Sequence, residues 1–289
     1  DGVRVEEYVN FFEYDYPIAD PAAEVPFSLE LAAAPNVLAR DTVMLRVGIQ
    51  GKAAPPAAEK PPANLVFLVD VSGSMGATDK LPLVQYTLSQ ALEVLAPTDQ
   101  VSIVTYSDLV AVALPPTPVS EVAAIQSVID SLVASGSTAG GAALEVAYTQ
   151  AEHAFIEGGM NHVLLCTDGD FNVGTTSTDG LVALIEEKRV SGITLTVLGY
   201  GSGNLNDAMM ETVSNKGDGV YAHVSSAAIA DEYVTERLLS NLFFIAKDMK
   251  IQVEFNPELV HAYRLLGYEN RAIADELFTV DSIDAGEVG

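Results

Sequence analysis

In Asn64-Leu65-Val66-Phe67-Leu68-Val69-Asp70-Val71-Ser72-Gly73-Ser74-Met75-Gly76 a continuous apolar run, Leu65 to Val69, stops at an acid and two serines. Pro61-Pro62 bounds the run before and Gly73 after. A run this short reads as a strand buried on both faces, as in a parallel sheet. Alternate side chains of an extended chain point the same way, so Asp70, Ser72 and Ser74 can face one point. One carboxylate and two alcohols make a hard-oxygen site, suited to Mg²⁺, Ca²⁺ or Mn²⁺ rather than zinc. The competing interpretation is a turn with a helix cap, which the same residue types favour.

Beyond Leu65 the pattern alternates between strand and helix. Leu81, Val84, Leu88, Leu92 and Leu95 form a helical stripe entered from Asp79, with Pro82 in the first turn. Val101–Thr105 and Val110–Leu114 are too close for a parallel crossover and should pair antiparallel. Ser120 should cap a helix burying Val122, Ile125, Ile129 and Leu132. Gly140–Ile156 should be a helix with Leu144, Ala147, Ala151 and Phe155 inward. His162–Thr167, Ile193–Leu198 and Gly219–Val224 read as strands. Asp179–Arg189, Leu205–Ser214 and Ala227–Ala246 read as helices. This alternation predicts an α/β fold: a doubly wound, mainly parallel six-stranded sheet with helices on both faces.

The flanks differ. Val5, Tyr8, Val9 and Phe12 fall at helical spacing before Pro17, within a cluster that adds Phe11, Tyr14 and Tyr16. Phe27–Leu31 and Val43–Ile49 alternate at period two, as do Met249–Phe255, Val260–Leu266 and Phe278–Val280. Lys52–Pro62, rich in Ala and Pro, reads as a stiff linker. The predicted organisation is residues 1–60 as an N-terminal helix, strands and linker, 64–246 as the α/β domain, and 247–289 as a C-terminal β segment pairing with 24–50. The α/β domain would thus be inserted in a small β-rich domain built from both ends of the chain.

Of the 289 residues 49% are hydrophobic, and 40 acids against 14 Lys and Arg give a formal charge of -26. Such a surface repels phosphate backbones and anionic headgroups, which argues against nucleic acid and membrane surfaces as partners. Cys166, the only cysteine, lies in an apolar run and reads as a core residue. Asp1-Gly2-Val3-Arg4 lacks the basic start and apolar middle of a signal peptide. With no natural punctuation at either end, the expectation is a piece trimmed from a longer protein, with room for an export signal removed ahead of it. His153, His162, His223 and His261 lack zinc-ligand spacing, and no Gly-x-Ser-x-Gly elbow occurs. Gly199-Tyr200-Gly201-Ser202-Gly203 departs from a dinucleotide fingerprint because Asn204 takes the place of a glycine, so it reads as a strand–helix turn.

Three loops fall at predicted strand ends or helix starts, where open α/β sheets bind ligands. They are Asp70–Ser74, Ser135-Gly136-Ser137-Thr138-Ala139-Gly140-Gly141 and Cys166-Thr167-Asp168-Gly169-Asp170-Phe171-Asn172. Asp-x-Ser-x-Ser after a strand, Gly-Ser-Thr opening a helix and Thr-Asp-Gly closing another strand resemble, in that order, the von Willebrand factor type A domain and its metal-ion-dependent adhesion site (MIDAS). The Asn-Phe-Phe-Glu-Tyr-Asp-Tyr-Pro start, the Thr-Asp-Gly-Asp-Phe-Asn-Val-Gly loop, Lys247–Pro257 and Tyr263–Arg271 resemble the bacterial YfbK-like family.

The resemblance implies a metal set of Asp70, Ser72, Ser74, Thr138 and Asp168. In it Ser72 and Ser74 bind directly, Thr138 directly or through water, and Asp70 and Asp168 through metal-bound waters. Gly73 and Gly169 let the backbone turn near the ion. Mg²⁺ is the first choice of cofactor, with Mn²⁺ or Ca²⁺ able to substitute. The implied function is divalent-cation-dependent protein–protein binding, or adhesion, at the bacterial cell envelope. The partner is a protein presenting an Asp or Glu to the metal. The location is periplasmic or extracellular, with a possible lipoprotein anchor outside this chain. The alternatives are a metal-dependent hydrolase, for which Asp170 is the only evident base, and a purely structural envelope protein. None of the four histidines sits in the three loops, so the expectation is a binding module and not an enzyme.

Overall fold

The structure is a computed structural model and describes residues 5–10, 12, 14–20, 25–39, 41–52, 60–137, 141–169, 178–201, 207–238 and 251–266. The chain divides into two compact units, Asp1–Ala54 with Phe244–Gly289, and Pro55–Phe243. No helix among the described residues is long and apolar enough to cross a membrane.

The first unit holds a short helix α1 (Val5–Asn10) and strands β1 (Phe27–Pro35) and β2 (Val43–Gly51). The strands pair antiparallel from Phe27↔Gly51 to Pro35↔Val43. Asn36 closes their loop, its Nδ2 donating to Thr42 Oγ1 over 2.9 Å. The helix ends at Asn10, short of the Phe12 that its apolar spacing includes. Tyr14 and Tyr16 stack together instead and carry the Arg46 guanidinium over their rings, 4.6 and 5.3 Å from the centroids. The described parts of the expected strands Met249–Phe255 and Val260–Leu266 contain no strand, and the rest of the expected C-terminal β segment (247–250 and 267–289) lies outside the described residues.

The second unit is built on a six-stranded sheet in the order β5-β4-β3-β6-β7-β8. Its strands are β3 (Ala63–Asp70), β4 (Gln100–Tyr106), β5 (Val110–Pro118), β6 (Met160–Thr167), β7 (Ile193–Tyr200) and β8 (Tyr221–Val224). Every pairing is parallel except β4 with β5, which is antiparallel as their short connection requires. The helices are α2 (Leu81–Val94), α3 (Val122–Ser131), α4 (Gly141–His153), α5 (Thr178–Val190), α6 (Asp207–Lys216) and α7 (Ala227–Glu232). The last continues as a wider π-helical turn, Tyr233–Leu238. Residues 239–246 of the expected helix lie outside the described residues.

The alternation of β3 explains the two-layer core. Leu65, Phe67 and Val69 pack with α2, α3 and α7 residues such as Leu88, Ile125 and Ala230. Val66 and Leu68 face the other way, onto α4, α5 and α6 through Leu144, Ile185 and Met210. All eight residues of β3 are buried. Cys166 is fully buried in the first cluster, and burial pushes its thiol up to about 12. His162 of β6 is also buried and sits 2.6 Å from Thr194 Oγ1 of β7 through Nδ1. Burial lowers its pKa to about 3.

Three local expectations are corrected. Ser120 lies in a 3-10 turn and does not cap α3. That turn buries Val119, leaving Val122 46% exposed. Helix α4 ends before Phe155, which is 43% exposed. Asn161 Oδ1 takes the Ile156 N–H over 2.9 Å and draws the chain out of the helix there.

Candidate metal centre

Parallel strands deliver their carboxyl ends to one edge of the sheet. Asp70 is the last residue of β3, and Thr167 the last of β6, its neighbour in the sheet. Val71 N–H donates to Tyr106 O over 2.9 Å, which keeps the chain extended past Asp70. Residues Gly73–Gly76 then wind into a 3-10 turn, anchored by the fully buried Met75. The result places Ser72 Oγ and Ser74 Oγ 3.0 Å apart. Asp70, 0% exposed, lies beneath them and accepts the Ser72 N–H through Oδ1 over 2.8 Å.

The second loop is stitched to the first. Ser135 N–H donates to Val71 O over 2.7 Å, and Gly73 N–H to Gly136 O over 2.9 Å. A Cβ at Gly73 would approach Gly136 O to 3.1 Å, so a glycine permits this contact without displacement. Asp108, in the β4–β5 connection, accepts the Ser137 N–H over 2.8 Å and also its hydroxyl. Those two bonds hold the Asp108 carboxyl below the usual carboxylate range. The chain then enters Thr138, which lies outside the described residues, as do Asp170 and Asn172.

The third loop supplies Asp168, 6% exposed, directly after β6. Gly169 follows at φ 95°, and its N–H donates to Thr167 Oγ1 over 3.2 Å. Thr167 Oγ1 donates to Asp70 Oδ2 over 3.4 Å. Asp70 is thus a buried carboxylate facing a second one. Burial raises its pKa, hydrogen bonds from Ser72 and Tyr106 oppose the rise, and the Asp168 charge adds to it.

Of the five expected ligands, the structure brings Asp70, Ser72, Ser74 and Asp168 to one edge. Three further residues belong to the same cluster and were not anticipated from the motifs. Tyr106 stands level with Asp70 because β3 and β4 pair in that register, and burial pushes its phenol well above the usual value. Asp108 ties down the Ser137 turn. Lys80 sends Nζ to Asp168 Oδ2 over 2.8 Å and donates to Ser74 O over 3.0 Å. The hint at Lys80 was its scarcity: it is one of only 14 Lys and Arg residues and lies ten positions after Asp70.

Two adjacent hydroxyls backed by two nearly buried carboxylates are the donor set of a hard divalent cation. Among the described residues no group of three or more His, Cys, Asp or Glu is placed to hold a metal, so the hydroxyls define this candidate.

Comparison with known proteins agrees with this architecture. Residues 64–236 match the family model of the von Willebrand factor type A domain. Residues 240–289 match the model described as "Uncharacterized protein YfbK, C-terminal", and residues 1–46 one described as "von Willebrand factor". The whole chain is 42% identical to "Uncharacterized protein YfbK" of Escherichia coli K12 and spans 51% of that protein, about half its length. It resembles the solved structure of an aerotolerance-related membrane protein from Bacteroides fragilis (23% identity, 62% of this chain and 98% of that one, TM-score 0.51). It also resembles proximal thread matrix protein 1 of the mussel byssus, solved with a zinc-occupied MIDAS motif (19% identity, 63% and 48%, TM-score 0.51). At these identities the two structures bear on the fold alone. By the match over residues 64–236 and the full-length similarity to YfbK, the chain belongs to the von Willebrand factor type A domain family and is a YfbK-like member of it.

Proposed function

We propose that this chain is a divalent-cation-dependent binding module that captures a protein partner through an Asp or Glu side chain. Ser72 and Ser74 would hold the ion, Asp70 and Asp168 would supply negative charge behind it, and Thr138 would complete the set. Mg²⁺ is the first choice, with Mn²⁺ or Ca²⁺ as substitutes. A divalent ion held by neutral alcohols keeps most of its charge, so when bound it supplies a Lewis-acidic position to an incoming carboxylate. The observation that carries the proposal is the pair of hydroxyls 3.0 Å apart over the buried Asp70, at the carboxyl edge of the sheet.

Family membership supports adhesion as the use of such a site, and a fold neighbour, the mussel byssus protein, is described with a zinc-occupied MIDAS motif. The bacterial cell envelope is the proposed location. It is supported by a fold neighbour described as an aerotolerance-related membrane protein.

The test is titration of the chain with Mn²⁺ by electron paramagnetic resonance, together with capture of partners from an envelope extract. Ser72→Ala and Ser74→Ala should each weaken Mn²⁺ binding by at least about tenfold, by loss of one direct oxygen donor. Partner capture should need Mg²⁺, disappear with EDTA and fail for both variants. Unchanged Mn²⁺ affinity in both variants would refute the assignment of the site, and capture indifferent to EDTA would refute its use.

A further inference from the structure

Lys80 is placed with more care than a surface lysine requires. Its backbone is fixed at the start of α2, with its N–H on Ala77 O at 3.1 Å and its carbonyl accepting the Val84 N–H at 2.9 Å. Its ammonium reaches two members of the candidate centre, Asp168 Oδ2 at 2.8 Å and Ser74 O at 3.0 Å. The Asp168 side chain is 4% exposed and that of Lys80 22%. The aliphatic stem runs over Gly201, just after β7, where a Cβ would lie 2.5 Å from Lys80 Cε. Gly201 therefore leaves open the slot that the stem fills. Segments before α2, after β6 and after β7 thus converge on one positive charge.

That charge sits on a carboxylate that a divalent ion also uses. Two cations serving one carboxylate in a partly dehydrated site repel each other strongly. Without the ion, the ammonium offsets part of the negative charge of Asp168, which faces the buried Asp70.

We propose that Lys80 is a built-in counter-cation: it holds Asp168 and Ser74 in the ion-free protein, and the divalent ion binds by exchange against its ammonium. The inference rests on the metal assignment above. It makes Lys80 a residue that lowers metal affinity and keeps the empty site folded. A residue that merely orients Asp168 would do the reverse and strengthen ion binding.

The experiment titrates the chain, its Lys80→Met and Lys80→Gln variants and a charge-preserving Lys80→Arg variant with Mg²⁺ by calorimetry and with Mn²⁺ by electron paramagnetic resonance. Melting of each in EDTA is recorded in parallel. Lys80→Met and Lys80→Gln should bind both ions about tenfold tighter or more, within the range of ordinary coupling between two ligands, and should melt below the wild type in EDTA. Lys80→Arg should stay within about threefold of the wild type on the same scale. Unchanged or weaker ion binding in both neutral variants, beside a wild type that binds, would overturn the exchange and leave the metal centre standing. A folded wild type that takes up neither ion would overturn the metal centre and the exchange with it.

Discussion

Replacing Asp70 by Asn should change stability in opposite directions with and without metal. Asp70 is fully buried. It accepts the Ser72 N–H at 2.8 Å and the Thr167 hydroxyl at 3.4 Å. Burial and the charge of Asp168 disfavour its ionised form. An asparagine has the same shape and keeps the Ser72 bond through its oxygen. Its amide can donate to Thr167 Oγ1, which already accepts the Gly169 N–H. The variant therefore loses a buried charge and keeps most of its hydrogen bonds. A net gain on the order of 1 kcal/mol is expected in EDTA, as the difference between charge desolvation and charge-assisted hydrogen bonding. In a domain of this size that raises the melting temperature by about 2–4 °C. With metal the order inverts. At an ion concentration a hundredfold above Kd the wild type gains about 2.7 kcal/mol, or roughly 5–10 °C. Asp70→Asn, with the charge behind the ion removed, should gain almost none of this. Differential scanning calorimetry of both proteins in EDTA and in excess Mg²⁺ gives four melting temperatures, and the two lines should cross. An Asp70→Asn protein that melts well below the wild type in EDTA, or one that gains as much from Mg²⁺, would refute this account of Asp70.

His162 predicts a pH dependence independent of the metal centre. Its folded pKa is lowered from 6.5 to about 3 by burial, so between those values the unfolded chain holds a proton that the folded chain does not. Stability is therefore complete above about pH 6.5 and falls by about 1.4 kcal/mol per unit below it, until about pH 3. Urea unfolding at pH 7.5 and 5.5 should show a loss of about 1.4 kcal/mol in the wild type and a much smaller one in His162→Gln; equal losses would contradict it. Asp108→Ala should free the Ser135–Ser137 turn, since it removes the acceptor of both Ser137 bonds. Amide exchange at Ser137, followed by mass spectrometry, should speed up about fivefold to tenfold, as for loss of one net hydrogen bond, with weaker Mn²⁺ binding alongside. Unaltered exchange would mean that the turn is held by other contacts.

Much of the central fold was legible because each of its signals is local. Leu65–Val69 is apolar at every position since both faces of β3 are covered, Asp70 ends the strand, and Ser72 and Ser74 follow within four residues of it, Ser74 in the 3-10 turn. The β4–β5 pairing followed from the length of one connection. What escaped depended on neighbours distant in sequence. Tyr106 joins the site only through the register of β3 with β4, and Asp108 only through the path of the Ser135–Ser137 turn. Lys80 meets Asp168 across 88 positions of chain, and no periodicity encodes that. The errors at Val122 and Phe155 have a similar origin. Helical spacing marked both as inward, but a buried Val119 and a side-chain bond from Asn161 decided where the helices begin and end.

The sheet order has a mechanical consequence. The candidate site hangs on the carboxyl end of β3, a central strand of the sheet. A partner pulling on Ser72 and Ser74 would load β3 along its own axis. Its parallel neighbours, in register from Asn64↔Gln100 to Asp70↔Tyr106 on one side and from Ala63↔Met160 to Val69↔Cys166 on the other, hold it by two ladders. Force along the strand shears both ladders at once, whereas force across it would peel them one bond at a time. A contact placed at this edge would thus load the two ladders in shear.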